Sequence, residues 1–160
     1  MKNQRRLIKE KTENQTPGEF FYIQPIDGNM FEWHFTLRGM TGSIYEGGLF
    51  HGCFKIPNDY PLKPPDMYMF NNSGRYETNK KICLTFTSFH QEEWTPAWTL
   101  RSMMEALCAY FVIDDNGIGS IKSTDSERKL IAINSRKYTC PQCGNLINIE
   151  DKILNYHSNK

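Results

Sequence analysis

The sequence lacks an apolar run long enough to cross a bilayer, which takes about 18 to 20 consecutive apolar residues. Residues 1–6 are basic, but the apolar segment that follows the basic start of a signal peptide is also absent. We therefore expect a cytoplasmic protein and no membrane contact by this chain.

An excess of charge of one sign is absent as well. Lysine and arginine together number 19, aspartate and glutamate number 18, and the net charge is +1. Because nucleic-acid surfaces need clustered positive charge, we expect no nucleic-acid partner. Apolar residues make up 39% of the chain and charged residues 23%, a balance typical of folded proteins. The length suits one domain, which we place at residues 1–136, with a tail at 137–160.

The cysteines do not form the even, regular framework of a secreted disulfide protein. There are five, at positions 53, 83, 108, 140 and 143, which favours a reducing compartment. Cys53 and Cys108 fall on predicted core faces of a strand and a helix, so we expect them to be structural. Cys83 lies in a loop beside Lys80 and Lys81, whose charges would stabilise its thiolate if they point toward it.

The periodicity of the first half predicts a helix followed by an antiparallel meander. Residues 3–14 are predicted to form an exposed helix whose apolar face is small, with only Leu7 and Ile8 apolar. Such a helix leaves Arg5 and Arg6 for solvent or a partner. Apolar and polar residues alternate over 31–38, which predicts a half-buried strand. Further strands are predicted at 20–23, 49–56 and 67–70, separated by glycine and proline turns.

The second half is predicted to be helical after a polar loop. Apolar residues follow helical spacing from Leu100 to Phe111, with Thr99 as the N-cap, and this is the expected core helix. Thr124 and Glu127 have the spacing of a capping box for a second helix that ends near residue 135. The fold class is therefore α+β.

Four motifs then occur in a fixed order: Tyr45-Glu46-Gly47-Gly48, Tyr60-Pro-Leu-Lys-Pro-Pro65, Ile82-Cys83-Leu84 and Trp94-Thr-Pro-Ala-Trp98. Together they resemble the ubiquitin-conjugating (E2) enzymes, and within them the Ubc6-like subgroup of tail-anchored enzymes of the endoplasmic reticulum. The resemblance covers about residues 17–112. It implies the UBC fold: an N-terminal helix, a four-stranded antiparallel meander, an active-site loop, a core helix and a C-terminal helix.

The resemblance also implies an activity. Cys83 would accept ubiquitin as a thioester from an E1 activating enzyme, in an ATP-dependent pathway, and pass it to a protein substrate with a RING-type E3 ligase. No cofactor is expected. The subgroup implies a role in ER-associated degradation, at the cytosolic face of the endoplasmic reticulum if a longer natural chain carries an anchor.

One family motif is missing. Most E2 enzymes carry His-Pro-Asn ten to eight residues before the cysteine, where this chain has Ser73-Gly74-Arg75, as the subgroup implies. Arg75 could stabilise negative charge or clamp the loop through Glu77. Candidates for supporting the chemistry are Asn71, Asn72 and His90, with Asp114 and Asp115 near the family's acidic residues that orient the acceptor. Each of these residue types is also suited to holding a turn.

The resemblance places E3 and E1 contacts on the first helix and on two proline loops, residues 60–65 and residues 94–98. These contacts are Leu62, where the family usually has phenylalanine, Pro96, Ala97 and Arg5. Leu62 keeps an apolar contact with less area, so we expect ligase binding with altered selectivity.

The tail contains Cys140-Pro-Gln-Cys143-Gly144, which looks like half of a zinc knuckle. Structural zinc needs four ligands, and the tail offers only His157 as a distant third. A redox pair or two separate thiols are therefore favoured, and no metal is expected. Two other functions stay open: a non-catalytic E2-variant adaptor, although such variants lack the cysteine, and a zinc-dependent interaction module.

Overall fold

A computed structural model describes residues 2–84, 86–87, 92–112 and 120–159. The elements in chain order are α1 (Lys2–Glu13), β1 (Phe21–Ile26), β2 (Asn29–Arg38), β3 (Leu49–Lys55), β4 (Asp66–Met69), α2 (Leu100–Tyr110), α3 (Asp125–Ser135), β5 (Thr139–Cys140), β6 (Gly144–Asn145) and α4 (Leu146–Ser158). Strands β1 to β4 form one antiparallel sheet in sequential order. The predicted α+β class and the four-stranded meander are confirmed.

The first face of the sheet carries the main core. Trp33 and Phe35 of β2 lie opposite Phe54 and Gly52 of β3, and the side chains of this face are fully buried. The rings of Phe35 and Phe54 are 5.4 Å apart. Leu100, Met103, Met104 and Leu107 of α2 belong to the same buried cluster. The apolar half of the alternating pattern therefore faces α2, as the periodicity predicts.

The second face of the sheet is buried as well, which the alternation does not predict. His34 and Thr36 of β2 are only 5% and 1% exposed. Helix α4 packs on β1, β2 and β3, and its Leu146 and Ile153 are fully buried. The prediction of a half-buried strand is therefore wrong for the middle of β2, because the tail covers the polar side chains.

Cys53 belongs to this second face too. It lies directly opposite His34 in the β2–β3 register, and cross-strand partners share a face. The cysteine is buried, as predicted, but it faces the tail rather than the core face of β3 that carries Phe54.

The helix starts agree with the sequence signals. The Thr99 hydroxyl accepts a hydrogen bond from the Ser102 backbone N–H at 3.0 Å, and Ser102 completes a capping box. The Thr124 hydroxyl accepts the Glu127 N–H at 3.1 Å. Both predicted N-caps are confirmed. Within the described ranges, no helix combines the length and apolar content that crossing a bilayer requires.

Candidate active site

Cys83 lies on a loop segment that buried neighbours hold on both sides. Ile82 and Leu84 are 1% and 3% exposed, whereas Cys83 is partly exposed. The Ile82 N–H donates to the Met67 carbonyl of β4 at 3.0 Å. The Thr87 hydroxyl accepts from the Leu84 N–H at 3.0 Å and donates to the Leu84 carbonyl at 2.9 Å. The thiol is therefore partly exposed, and hydrogen bonds hold the backbone of both its neighbours.

Two of the other cysteines are poorly suited to nucleophilic chemistry. Burial raises the pKa of the Cys53 thiol to about 12 and that of the Cys108 thiol to about 12. At neutral pH both thiols stay protonated, and the thiolate is the reactive form. Their predicted structural role agrees with this environment.

The two lysines before Cys83 are engaged by carboxylates. The Lys80 ammonium lies 3.7 Å from Glu77, and the Lys81 ammonium lies 3.5 Å from Asp66. These are exposed ion pairs of modest strength, but they draw both charges toward acids. These ion pairs leave less lysine charge to stabilise the Cys83 thiolate than the sequence predicts.

Arg75 is a buried part of the fold. It is 1% exposed, its guanidinium donates to the Tyr110 carbonyl at the end of α2 at 3.2 Å, and it lies 4.9 Å from the centre of the Tyr76 ring. The predicted clamp through Glu77 is wrong, because Glu77 pairs with Lys80. Arg75 instead ties the loop before the active site to the end of α2.

The two asparagines have different surroundings. Asn71 is buried, and its side-chain amide accepts from the His51 N–H at 2.8 Å and donates to the Leu49 carbonyl at 2.9 Å. Both hydrogen bonds go to the backbone of β3. Asn72 is exposed, and its side-chain oxygen accepts from the Gly74 N–H at 3.0 Å. Asn72 holds a turn through this hydrogen bond, and its part in the chemistry stays a prediction. The other predicted supporting residues, His90, Asp114 and Asp115, lie outside the described residues.

Glu10 is a buried charge that sequence reasoning missed. It is 1% exposed and accepts hydrogen bonds from the Arg6 guanidinium at 2.9 Å, the Tyr60 hydroxyl at 2.6 Å and the Leu100 N–H. Burial and the nearby Glu10 carboxylate raise the pKa of the Tyr60 hydroxyl. The signal in the sequence was its position one turn after the buried Leu7, on the inward face of α1. Glu10 thereby joins α1, the first proline loop and the start of α2.

Arg6 extends this network to the second proline loop. Besides Glu10, its guanidinium donates to the Pro96 carbonyl at 3.0 Å and to the Trp98 carbonyl. The expectation that Arg6 is left for solvent or a partner is therefore wrong, because its guanidinium is used within the chain. The Trp94 indole N–H donates to the Pro61 carbonyl at 2.8 Å, which fastens the two proline loops to each other.

The predicted partner contacts are exposed around these fastened loops. Leu62 is 75% exposed, and Pro96, Ala97 and Arg5 are exposed as well. We call Leu62, Pro96 and Ala97 the loop surface. Single exposed apolar residues are common on protein surfaces, so the assignment of the loop surface to a partner interface stays a prediction.

The tail cysteines lie beside a histidine of the sheet. Cys140 Sγ is 3.6 Å and Cys143 Sγ is 3.4 Å from His34 Nδ1. His157, the predicted third ligand, lies elsewhere, with its Nε2 2.9 Å from the Gly18 carbonyl. The third ligand that the tail itself offers therefore lies away from the two cysteines, which approach His34 of β2 instead.

Known proteins share both the sequence and the fold. The family model described as ubiquitin-conjugating enzyme matches residues 6–116. Human ubiquitin-conjugating enzyme E2 J1 is 39% identical over 141 residues, which cover 88% of this chain and 44% of that protein. Ubiquitin-conjugating enzyme E2 32 of Arabidopsis thaliana is 39% identical over 158 residues, 95% of this chain and 50% of that protein.

Ubiquitin-conjugating enzyme E2 6 of Schizosaccharomyces pombe is 35% identical over 135 residues, 84% of this chain and 60% of that protein. The chain thus spans about half the length of the curated relatives it matches. Among solved structures, the E2 domain of a Toxoplasma gondii ubiquitin conjugating enzyme superposes with a TM-score of 0.69 at 25% identity, covering 82% of this chain and 97% of that one. With a family match over most of its length, the chain belongs to the ubiquitin-conjugating (E2) enzymes and to their Ubc6-like subgroup.

Proposed function

We propose that this protein accepts ubiquitin from an E1 activating enzyme as a thioester on Cys83 and transfers it to a protein substrate with a RING-type E3 ligase. The observation that carries the proposal is the partly exposed Cys83 between the buried Ile82 and Leu84. A thiol in this setting meets the two needs of thioester exchange, access and a fixed position.

The transfer involves two exchanges at one carbonyl carbon. In the first, the Cys83 thiolate attacks the thioester between ubiquitin and the E1, a new carbon–sulfur bond forms, and the E1 thiolate leaves. In the second, a substrate amine attacks the same carbon, loses a proton, and the Cys83 thiolate leaves. Both steps pass through an oxyanion, which needs nearby hydrogen-bond donors.

A charging assay tests the proposal. The chain is incubated with E1, ubiquitin and ATP, and the products are separated with and without reductant. We expect an adduct one ubiquitin larger than the chain that reductant removes. Absence of any adduct, with a folded chain and a control E2 that charges under the same conditions, would reject the proposed function.

Leu62 provides a prediction for E3 binding. Because Leu62 is 75% exposed on a loop that the Trp94–Pro61 hydrogen bond fastens to the loop of Pro96, Leu62→Ala should weaken RING-type ligase binding by about 1 to 2 kcal/mol. Charging by E1 should stay near the parental rate. Calorimetric titration of the ligase measures the first effect, and a charging time course measures the second.

Leu130 provides a matched control, since it is a 61% exposed leucine on α3, outside the loop surface. Leu130→Ala should bind the ligase as the parent does. Equal loss of affinity in both variants would remove Leu62 from the proposed interface.

The oxyanion partner provides a second prediction. If Asn72 or His90 stabilises the oxyanion, replacing that residue with alanine should slow discharge of the Cys83 thioester to free lysine at least about tenfold, or roughly 1.4 kcal/mol. Single-turnover discharge measures this rate, and a thermal melt checks the fold. Parental rates in both variants would leave backbone amides or Arg75 as the stabilising groups. Discharge to free serine in parallel distinguishes hydroxyl from amine acceptors.

We further propose that the full protein acts in ER-associated degradation at the cytosolic face of the endoplasmic reticulum. Membership of the Ubc6-like subgroup supports this role. In cells, a Cys83→Ala chain should slow turnover of a misfolded ER-anchored reporter and leave a cytosolic reporter unchanged. Unchanged turnover of both reporters would argue against this setting.

A further inference from the structure

Four potential metal ligands meet between the sheet and the tail. His34, His51, Cys140 and Cys143 each offer one ligand atom, and all four atoms lie within 4.8 Å of one another. His34 on β2 and His51 on β3 are diagonal neighbours on the second face of the sheet, because His34 pairs with Cys53 and Thr36 pairs with His51. The β5–β6 hairpin places both cysteines over this face.

The distances from the two sulfurs to His34 match a tetrahedral zinc site. Zinc lies about 2.3 Å from thiolate sulfur and about 2.0 to 2.1 Å from imidazole nitrogen, so neighbouring ligand atoms are about 3.3 to 3.8 Å apart. The two sulfur–Nδ1 distances to His34 are 3.6 Å and 3.4 Å. Cys140 and Cys143 have the two-residue spacing of a zinc knuckle, and Gly144 has the positive φ of 88° that such a tight turn requires.

Both histidines are oriented by a partner on the ring nitrogen that faces away from the sulfurs. His34 Nε2 is 2.7 Å from a Glu32 carboxylate oxygen, which leaves Nδ1 for the metal. His51 Nδ1 is 2.9 Å from the Thr36 hydroxyl, which leaves Nε2. Supports of this kind fix the tautomer in metal sites.

His51 supplies a second, independent observation. The ring is buried, and among the described residues its Nε2 has no hydrogen-bond partner. A buried polar atom without a partner is unfavourable because it has lost its hydrogen bond to water, so folded proteins rarely retain one without a reason. A metal ligand bond satisfies this atom.

We propose that His34, His51, Cys140 and Cys143 bind one structural Zn²⁺ that fastens the tail hairpin to the sheet. Two thiolates and two imidazoles in a tetrahedron are the donor set of structural zinc, and four protein ligands leave no open position for substrate. The ion is therefore separate from the thioester chemistry of Cys83. It joins the tail to β3 and to β2, and the β2 ligand is distant in the chain, since His34 and Cys140 are 106 positions apart.

Metal analysis of the full chain tests this proposal. After expression with zinc and gel filtration, mass spectrometry of the elements should find one zinc per chain. Replacing zinc with Co²⁺ should produce the intense visible bands of tetrahedral cobalt with thiolate ligands. A zinc content far below one per chain would overturn the proposal. A Cys140–Cys143 disulfide in protein freshly purified with reductant would overturn it as well.

Alkylation of the parental chain locates the ion without any mutation. Cys140 and Cys143 should resist iodoacetamide until a chelator is added, whereas Cys83 should react in both conditions. Equal reaction of the tail cysteines with and without chelator would place the ion elsewhere or reject it.

Variants provide the final comparison. Cys143→Ser should bind Co²⁺ at least about tenfold more weakly, and the thiolate-to-cobalt bands of its cobalt complex should be clearly weaker, since one of two sulfurs is removed. Cys83→Ala is the matched control and should keep one zinc per chain, whatever its effect on ubiquitin charging. Unchanged metal content and cobalt spectrum in Cys143→Ser would exclude this site.

Discussion

Replacing Cys83 with alanine is expected to abolish the reductant-sensitive ubiquitin adduct completely. The reason is that Cys83 is the partly exposed loop cysteine held between two buried residues, whereas Cys53 and Cys108 are buried thiols with a pKa raised to about 12. Non-reducing electrophoresis after incubation with E1, ubiquitin and ATP measures the adduct.

Two further variants make this result specific. Cys83→Ser should form an ester adduct that resists reductant and is cleaved by base, which shows that the fold and E1 contact survive. Cys108→Ala should keep the parental thioester. If the adduct persists in Cys83→Ala and disappears when Cys140 or Cys143 is replaced, Cys83 is not the nucleophile.

Replacing Glu10 with alanine is expected to lower the free energy of unfolding by about 3 to 5 kcal/mol. The substitution leaves the buried Tyr60 hydroxyl and the Leu100 N–H without their acceptor, and it removes the carboxylate that pairs with Arg6. Urea denaturation followed by circular dichroism measures the change.

Glu13 provides the control, because it is an exposed glutamate at the end of the same helix. Glu13→Ala should change stability by no more than about 0.5 kcal/mol. Glu10→Gln should lose less than Glu10→Ala, since an amide oxygen can still accept hydrogen bonds. Similar stabilities for Glu10→Ala and Glu13→Ala would show that the network contributes little.

The predictable part of the fold depends on local patterns. The Thr99 and Thr124 caps, the apolar spacing of α2 and the alternation in β2 involve residues a few positions apart. Such patterns reflect the geometry of one helix or strand, so they can be read without knowing what packs against it. The motif around Cys83 can be recognised in the sequence for a similar reason, because its residues are adjacent in the chain.

The remaining features depend on residues that are distant in sequence. Glu10 is separated from Tyr60 by 50 positions and from Leu100 by 90, and Arg75 is separated from Tyr110 by 35. No periodicity encodes such pairs. A buried glutamate cannot be distinguished from an exposed one in the sequence. The fold distinguishes them by bringing hydrogen-bond donors to the buried carboxylate.

By itself, the sequence determined the α+β class, the order of the meander and helices and the family resemblance, and it predicted Cys83 as the nucleophile among five cysteines. Only the tertiary structure decided that His34 and Thr36 are buried, that Arg6 and Glu10 fasten the two proline loops, and that the tail cysteines meet histidines of the sheet. The physical reason is that burial and ligand geometry are properties of packed surfaces. The second face of the sheet acquires its environment only when α4 and the β5–β6 hairpin close over it.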